Sequence, residues 1–422
     1  MLEPRRTTRV LNGRGGSPLD ELVRQLWLPA VRTGHARVVV NPRRDPRWTT
    51  VERYLAVPSA RPRLLVAADR PAVTAAAFVT YKRLRSRRTR WARTGYGALA
   101  RTGLLGGASA LEVQVLSSAA RDGTAPDLPL RSIGRELGLP RLRPAIGVLG
   151  GNRKVTLQLF DADGEPVGYA KTSWNRTTAD LVRAETEALR AVAWRTGRIR
   201  VPAAIGAGEW AGRPFVVTAP LPRSVRALSD PAALPGPDTL ADLMPVHRTG
   251  EVIGTGHALA VRRRLDALPH EAGTEALRGA VERAWAALVR RQAVAGIATR
   301  WHGDFVPWNL AREGADQLWC WDWESSESDA VAGLDAVHWN VSIRRDRSAG
   351  PMAHLPGALA AAQDHLRAAG TPMASWPDVA ALYAVALTER VWTYAAGSDG
   401  WSDGSITPGQ LVELLDGAVA NL

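Results

Sequence analysis

Residues 299–310 read TRWHGDFVPWNL, and residues 318–326 read LWCWDWESS. Two aspartates and an asparagine, Asp304, Asp322 and Asn309, stand there among tryptophan, phenylalanine, valine and leucine. Burying an isolated carboxylate is costly unless a cation, a metal or several hydrogen bonds compensate it. The stretch therefore predicts a site that binds or pairs charge. Asp304 precedes Asn309 by five residues, and Asn309 precedes Asp322 by 13. The intervening REGADQ (312–317) is a turn signal, so a hairpin would bring the second carboxylate back beside the first.

At 422 residues the chain exceeds what one hydrophobic core supports, and with 45% hydrophobic and 23% charged residues it reads as globular. The nearest approach to a membrane span, GLLGGASALEVQVL (103–116), is short and interrupted, and the first residues lack the apolar segment of a secretory signal. A cytoplasmic location is the default expectation. A single cysteine, Cys320, excludes an internal disulfide framework and a cysteine zinc site; between Trp319 and Trp321 it reads as a small buried hydrophobe. The net charge of +13 is segregated: residues 1–221 carry 37 Lys and Arg against 17 Asp and Glu, and residues 222–422 carry 17 against 24. Residues 1–135 alone hold 25 against 9.

The chain divides into three parts. Residues 1–135 mix short strands (ARVVV, RLLVAA) with a helix from about Pro71 that leads into YKRLRSRRTRWAR, where seven Lys or Arg lie between Lys82 and Arg93. Residues 136–221 read as strands with one inserted helix. There DADG (161–164) marks a hairpin, and TTADLVRAETEALRAVAWRTG (177–197) places Leu181, Ala184, Ala188, Leu189 and Val192 on one face. Residues 222–422 are mainly helical by pattern, apart from the opening motif.

Phosphoryl transfer asks a protein for a carboxylate to orient the attacking hydroxyl, oxygen ligands for magnesium, a cation on the phosphates and a backbone turn that can approach them. Asp304 and Asn309 stand at the interval of the Asp and Asn in the kinase catalytic loop, and Asn309 with Asp322 supplies hard oxygen ligands. The sequence here resembles the aminoglycoside phosphotransferase family, relatives of the protein kinases whose catalytic loop reads HGDxxxxN. The resemblance covers roughly residues 140–400. It implies an α+β, two-lobed protein-kinase-like fold with an antiparallel-sheet N-lobe and a mainly helical C-lobe, to which residues 1–135 would add an N-terminal α/β accessory region.

By that resemblance Asp304 is the catalytic aspartate, Asn309 and Asp322 are the metal ligands, His302 braces the loop, and Asp335 in AGLDAVHW holds the loop in place. GVLGGNRKV (147–155) would form the turn over the phosphates, with Gly150, Gly151 and Asn152 as the amides involved. Lys171 matches the phosphate-binding lysine by its place, 20 residues after Gly151. Glu185 is its expected partner, since ETEAL fits the family's ExxxL; Glu187 is the rival, about 200° away around the same helix. FVVTAPLP (215–222) resembles the linker whose backbone meets the adenine edge, which nominates Ala219 and Leu221.

The expected activity is ATP- or other nucleoside-triphosphate-dependent and Mg²⁺-dependent phosphorylation of a hydroxyl on a small molecule, aminoglycoside-like or otherwise sugar-containing. Two alternatives are a kinase of peptide or protein hydroxyls and a catalytically silent kinase-like binding module. Clustered cations attract anionic partners, which makes the stretch from Lys82 to Arg93 a candidate docking site for one. The lack of an aromatic stacking platform or zinc pattern beside it argues against nucleic acid as the partner.

Overall fold

The computed structural model describes residues 8–58, 62–80, 87–102, 110–147, 155–193, 197–271, 273–344, 351–397, 400–401 and 406–422, with the backbone alone over 87–93. Gly150, Gly151 and Asn152 lie outside the described residues, as do Lys82, Arg83, Arg85 and the side chains of the remaining basic cluster. Two units emerge, Met1–Thr186 with Pro202–Pro222, and Glu187–Val201 with Arg223–Leu422. Among the described residues no helix is long and apolar enough to cross a membrane.

The strands are β1 (Arg9–Leu11), β2 (Ala36–Val40), β3 (Trp48–Val57), β4 (Leu64–Ala67), β5 (Ala110–Leu116), β6 (Arg143–Gly147), β7 (Thr156–Phe160), β8 (Pro166–Thr172), β9 (Ile199–Arg200), β10 (Ala204–Trp210) and β11 (Arg213–Thr218). In the first unit ten of them form one sheet in the order β1-β2-β5-β3-β4-β6-β7-β8-β11-β10. Every pairing in it is antiparallel. The basic amino-terminal part does not lie on the face of the following strands but extends their sheet in plane, through β4 and β6 with Leu65 opposite Ile146. One apolar layer runs beneath both parts: Leu22, Leu26, Trp27, Val113 and Val115 share a core with Leu157, Leu159, Phe215 and Val217. The helix Pro18–Leu26 that covers it starts on Ser17, whose hydroxyl accepts from the Asp20 amide at 3.2 Å, with Pro18 in the first turn.

The β7–β8 hairpin forms where the sequence signals it. Asp161 Oδ1 accepts from the amides of Asp163 and Glu165, each at 2.9 Å, and Gly164 takes φ +89°. This turn fixes the register that sets Lys171 opposite Thr156 on one side and Val216 on the other.

The second unit contains β12 (Arg226–Ala227), β13 (Val246–Glu251), β14 (Val294–Trp301), β15 (Leu310–Glu313), β16 (Gln317–Cys320) and β17 (Glu327–Val331). They form two small sheets, β12-β15-β16-β9 and β13-β14-β17. Its core gathers the helices Gly256–Ala267, Glu275–Arg291, Leu334–Arg344, Trp376–Ala396 and Pro408–Ala420. The last helix opens on a capping box, with the Gln410 amide on the Thr407 hydroxyl at 3.2 Å and the Thr407 amide on the Gln410 side chain at 3.1 Å. Arg291 clamps Asp378 through two bonds of 2.9 and 3.0 Å, joining two of these helices. β13, on the exposed sequence VHRTGE, is a strand the helical pattern did not announce.

Candidate active site

The HGD loop leaves the end of β14 directly after Trp301. Gly303 takes φ +80°, a left-handed conformation that suits glycine, and a Cβ there would stand 2.1 Å from the Ser325 carbonyl oxygen. Asp335, in the first turn of the helix Leu334–Arg344, holds the loop by accepting the amides of His302 (2.7 Å) and Gly303 (3.0 Å). Burial pushes the Asp335 carboxyl up to about 7, against the pull of those two amides.

His302 is fully buried and spans two segments. Its Nδ1 accepts the Asp304 amide at 3.2 Å, which leaves Nε2 to donate to the Trp321 carbonyl at 3.1 Å. Desolvation lowers its pKa to about 4, so the ring is the neutral strut that this bonding requires. Phe305 and Trp323 pack against it.

The next residues turn through Pro307–Asn309 into β15. Pairing of Leu310 with Cys320, and the Trp321 amide on the Asn309 carbonyl at 3.1 Å, close the hairpin and bring the chain at Asp322 back beside Asn309. Asp322 itself takes φ +72° and ψ +55°. Cys320, at the end of that strand, is buried, and burial raises its thiol well above the ordinary range.

Asn309 Nδ2 donates to both the Asp304 carbonyl and Asp304 Oδ2, each at 3.0 Å. The amide nitrogen being committed to Asp304, the Asn309 side-chain oxygen is the atom available to a cation. The other carboxylate oxygen, Oδ1, lies 3.2 Å from His338 Nε2 and 3.8 Å from Arg390 Nη1. Burial alone would raise the Asp304 pKa, but the His338 hydrogen bond and the Arg390 charge hold it well below the usual carboxylate range. Arg390 also donates to the Gly303 carbonyl. Its helix is pinned beside the loop because Arg264 binds the adjacent buried Glu389 (2.9 and 3.1 Å) and Glu327 of β17 (2.6 Å).

In the first unit Lys171 Nζ lies 2.6 Å from Glu185 Oε1, and Glu185 is 2% exposed. The rival Glu187 has a side chain that is 70% exposed and is bonded to Arg300 instead. Ala219 gives its amide to the Ala203 carbonyl at 2.8 Å, so what it can offer a base edge is its carbonyl. Leu221 follows on the same segment, half-buried.

Sequence reasoning missed several residues. His338 and Arg390 touch or flank Asp304, although AGLDAVHW placed His338 three residues after Asp335 and LTERVWTY placed Arg390 within an apolar helix. Glu324 brings a carboxylate oxygen within 4.8 Å of one from Asp322. Tyr394 lies one helical turn beyond Arg390 and is exposed.

Among solved structures the chain is similar to choline kinase LicA from Streptococcus pneumoniae, at 15% identity and a TM-score of 0.42, over 69% of this chain and 99% of that one. It is also similar to the GDP complex of aminoglycoside 2'-phosphotransferase-IIIa (13% identity, TM-score 0.39, 69% and 96%). A third similar structure is macrolide 2'-phosphotransferase MphH from Brachybacterium faecium (15% identity, TM-score 0.27, 64% and 95%). No family model and no curated protein matches the chain.

Proposed function

We propose that this protein is a magnesium-dependent phosphotransferase that moves the γ-phosphoryl group of ATP, or of another nucleoside triphosphate, to a hydroxyl of a small molecule, aminoglycoside-like or otherwise sugar-containing. The observation that carries the reading is the hairpin that joins Asn309, itself bonded to Asp304, to Asp322. Asp304 is the base that orients the acceptor hydroxyl. Asn309 and Asp322 offer a side-chain carbonyl and a carboxylate, the hard oxygen donors magnesium prefers, and would hold that ion. The chemistry that ion would supply is positive charge to offset the charge of the phosphates. Lys171, fixed by Glu185, is the cation for phosphate oxygens.

Hydrolysis of ATP or GTP and binding of a fluorescent ATP analogue, each with and without magnesium, test the reading. Asp304→Asn should lower turnover by about 10² to 10⁴ while leaving nucleotide affinity nearly intact, as removal of a positioned base does. Native turnover in that variant with any acceptor would sink the assignment. Asp322→Ala should abolish the magnesium-dependent part of nucleotide binding, and unchanged magnesium dependence would exclude it as a ligand.

A further inference from the structure

His338 is a buried histidine that no loop motif requires. It projects from the helix Leu334–Arg344, is 4% exposed, and places one ring nitrogen on Asp304 and the other on Tyr383. The Nε2 to Oδ1 distance is 3.2 Å, and the Nδ1 to Tyr383 hydroxyl distance is 3.1 Å. An ionised carboxylate only accepts, so Nε2 carries the proton and Nδ1 accepts from the Tyr383 hydroxyl. The Ser342 hydroxyl, 3.4 Å from Nε2 on the same helix, is a longer secondary contact. Arg390 is the charged neighbour from the other packed helix.

We infer that His338, oriented by Tyr383, is a positioning residue that fixes the carboxylate plane of Asp304 for the acceptor hydroxyl. This rests on the phosphotransferase reading of Asp304. The terminal torsion of an aspartate is broad and roughly two-fold, so one hydrogen bond leaves the plane poorly defined. Asn309 on Oδ2 and His338 on Oδ1 grip opposite oxygens and define it. Each carboxylate oxygen accepts more than one bond, so capacity for an incoming hydroxyl remains. Tyr383 fixes the ring tautomer in turn, and it belongs to the same helix as Arg390, so one helix acts on Asp304 through His338 and, by Arg390, directly.

The test combines kinetics with a readout independent of turnover. With magnesium ATP hydrolysis as the probe, His338→Leu should lower kcat about 10²-fold, the cost of a misplaced reacting group, with KM and nucleotide affinity unchanged. His338→Gln, which can present an N–H near the Nε2 position, should recover much of that loss, and Tyr383→Phe should fall between native and His338→Leu. Equal losses in the Leu and Gln variants would make the role one of packing and overturn the inference. Native kcat in His338→Leu, with Asp304→Asn inactive, would overturn it and leave the reading intact; native kcat in Asp304→Asn would instead overturn the reading. Where His338→Leu does not fold, Tyr383→Phe decides: lowered kcat at unchanged KM supports the inference and native kcat overturns it. Independently of any substrate, nitrogen NMR of the histidines should show His338 protonated at Nε2 and perturbed by Asp304→Asn; the Nδ1-protonated form would overturn the proposal.

Discussion

At the scale of single residues, the site depends on a histidine kept neutral. His302 has an unfolded pKa near 6.5 and a folded value of about 4, so the unfolded chain takes the proton first as pH falls. The stability contributed by the neutral ring is complete above about pH 6.5 and is lost between there and about pH 4, on the order of 3 kcal/mol in all. Asp335 acts in the opposite sense. Its folded form, at about 7, keeps a proton that the unfolded chain releases near 3.8, so its contribution is full below that value and fades as pH rises to 7. The two offset each other in a global unfolding curve, and the direct measurement is the His302 ring itself. Histidine NMR should show it neutral and protonated on Nε2 down to pH 5; a midpoint near 6.5 would contradict the strut. The HGD motif and its intervals were legible at this scale because they are local. Arg390 was not, since nothing near position 390 in the chain reveals that it reaches a loop 87 residues away.

At the scale of elements, the loop and the segment after Asp322 are packed backbone against backbone. Gly303→Ala would impose a left-handed conformation on a residue with a Cβ and drive that atom into the Ser325 carbonyl. The expected cost is about 1 to 3 kcal/mol, with displacement of the loop. Denaturant unfolding should show a lowered midpoint, and an unchanged midpoint with native hydrolysis would refute the tight fit. The helix Arg176–Val192 illustrates how far periodicity carries. The buried set is Thr178, Val182, Glu185, Ala188, Leu189 and Val192, with Leu181 and Ala184 of the expected face half-buried, and the helix stops five residues before Gly197. Periodicity shows which glutamate shares the apolar face. It does not show what covers the other: the separation of 113 positions between Glu187 and Arg300 hides that pairing from any local pattern.

At the scale of the whole molecule, the amino-terminal part and the strands that follow it are one sheet over one core. Deleting residues 1–135 should therefore not release residues 136–221 as an intact folded unit. It would strip β4 from β6, leave an open sheet edge, and remove Leu22, Leu26, Trp27, Val113 and Val115 from the layer under Leu157 and Val217. Soluble yield and size-exclusion chromatography should show aggregation; a soluble monomer that still binds the ATP analogue would refute the continuity. The sequence by itself determined the chemistry-bearing spacings, the 161–164 turn, the helix faces and the segregation of charge, because each arises from residues a few positions apart or from a simple sum. Only the tertiary structure decided that five early strands extend the sheet of Lys171 in plane, and that His338, itself bonded to Tyr383, and Arg390 converge on Asp304. Strand order and long-range side-chain contacts depend on which distant surfaces bury one another, a property of the assembled cores that no local pattern encodes.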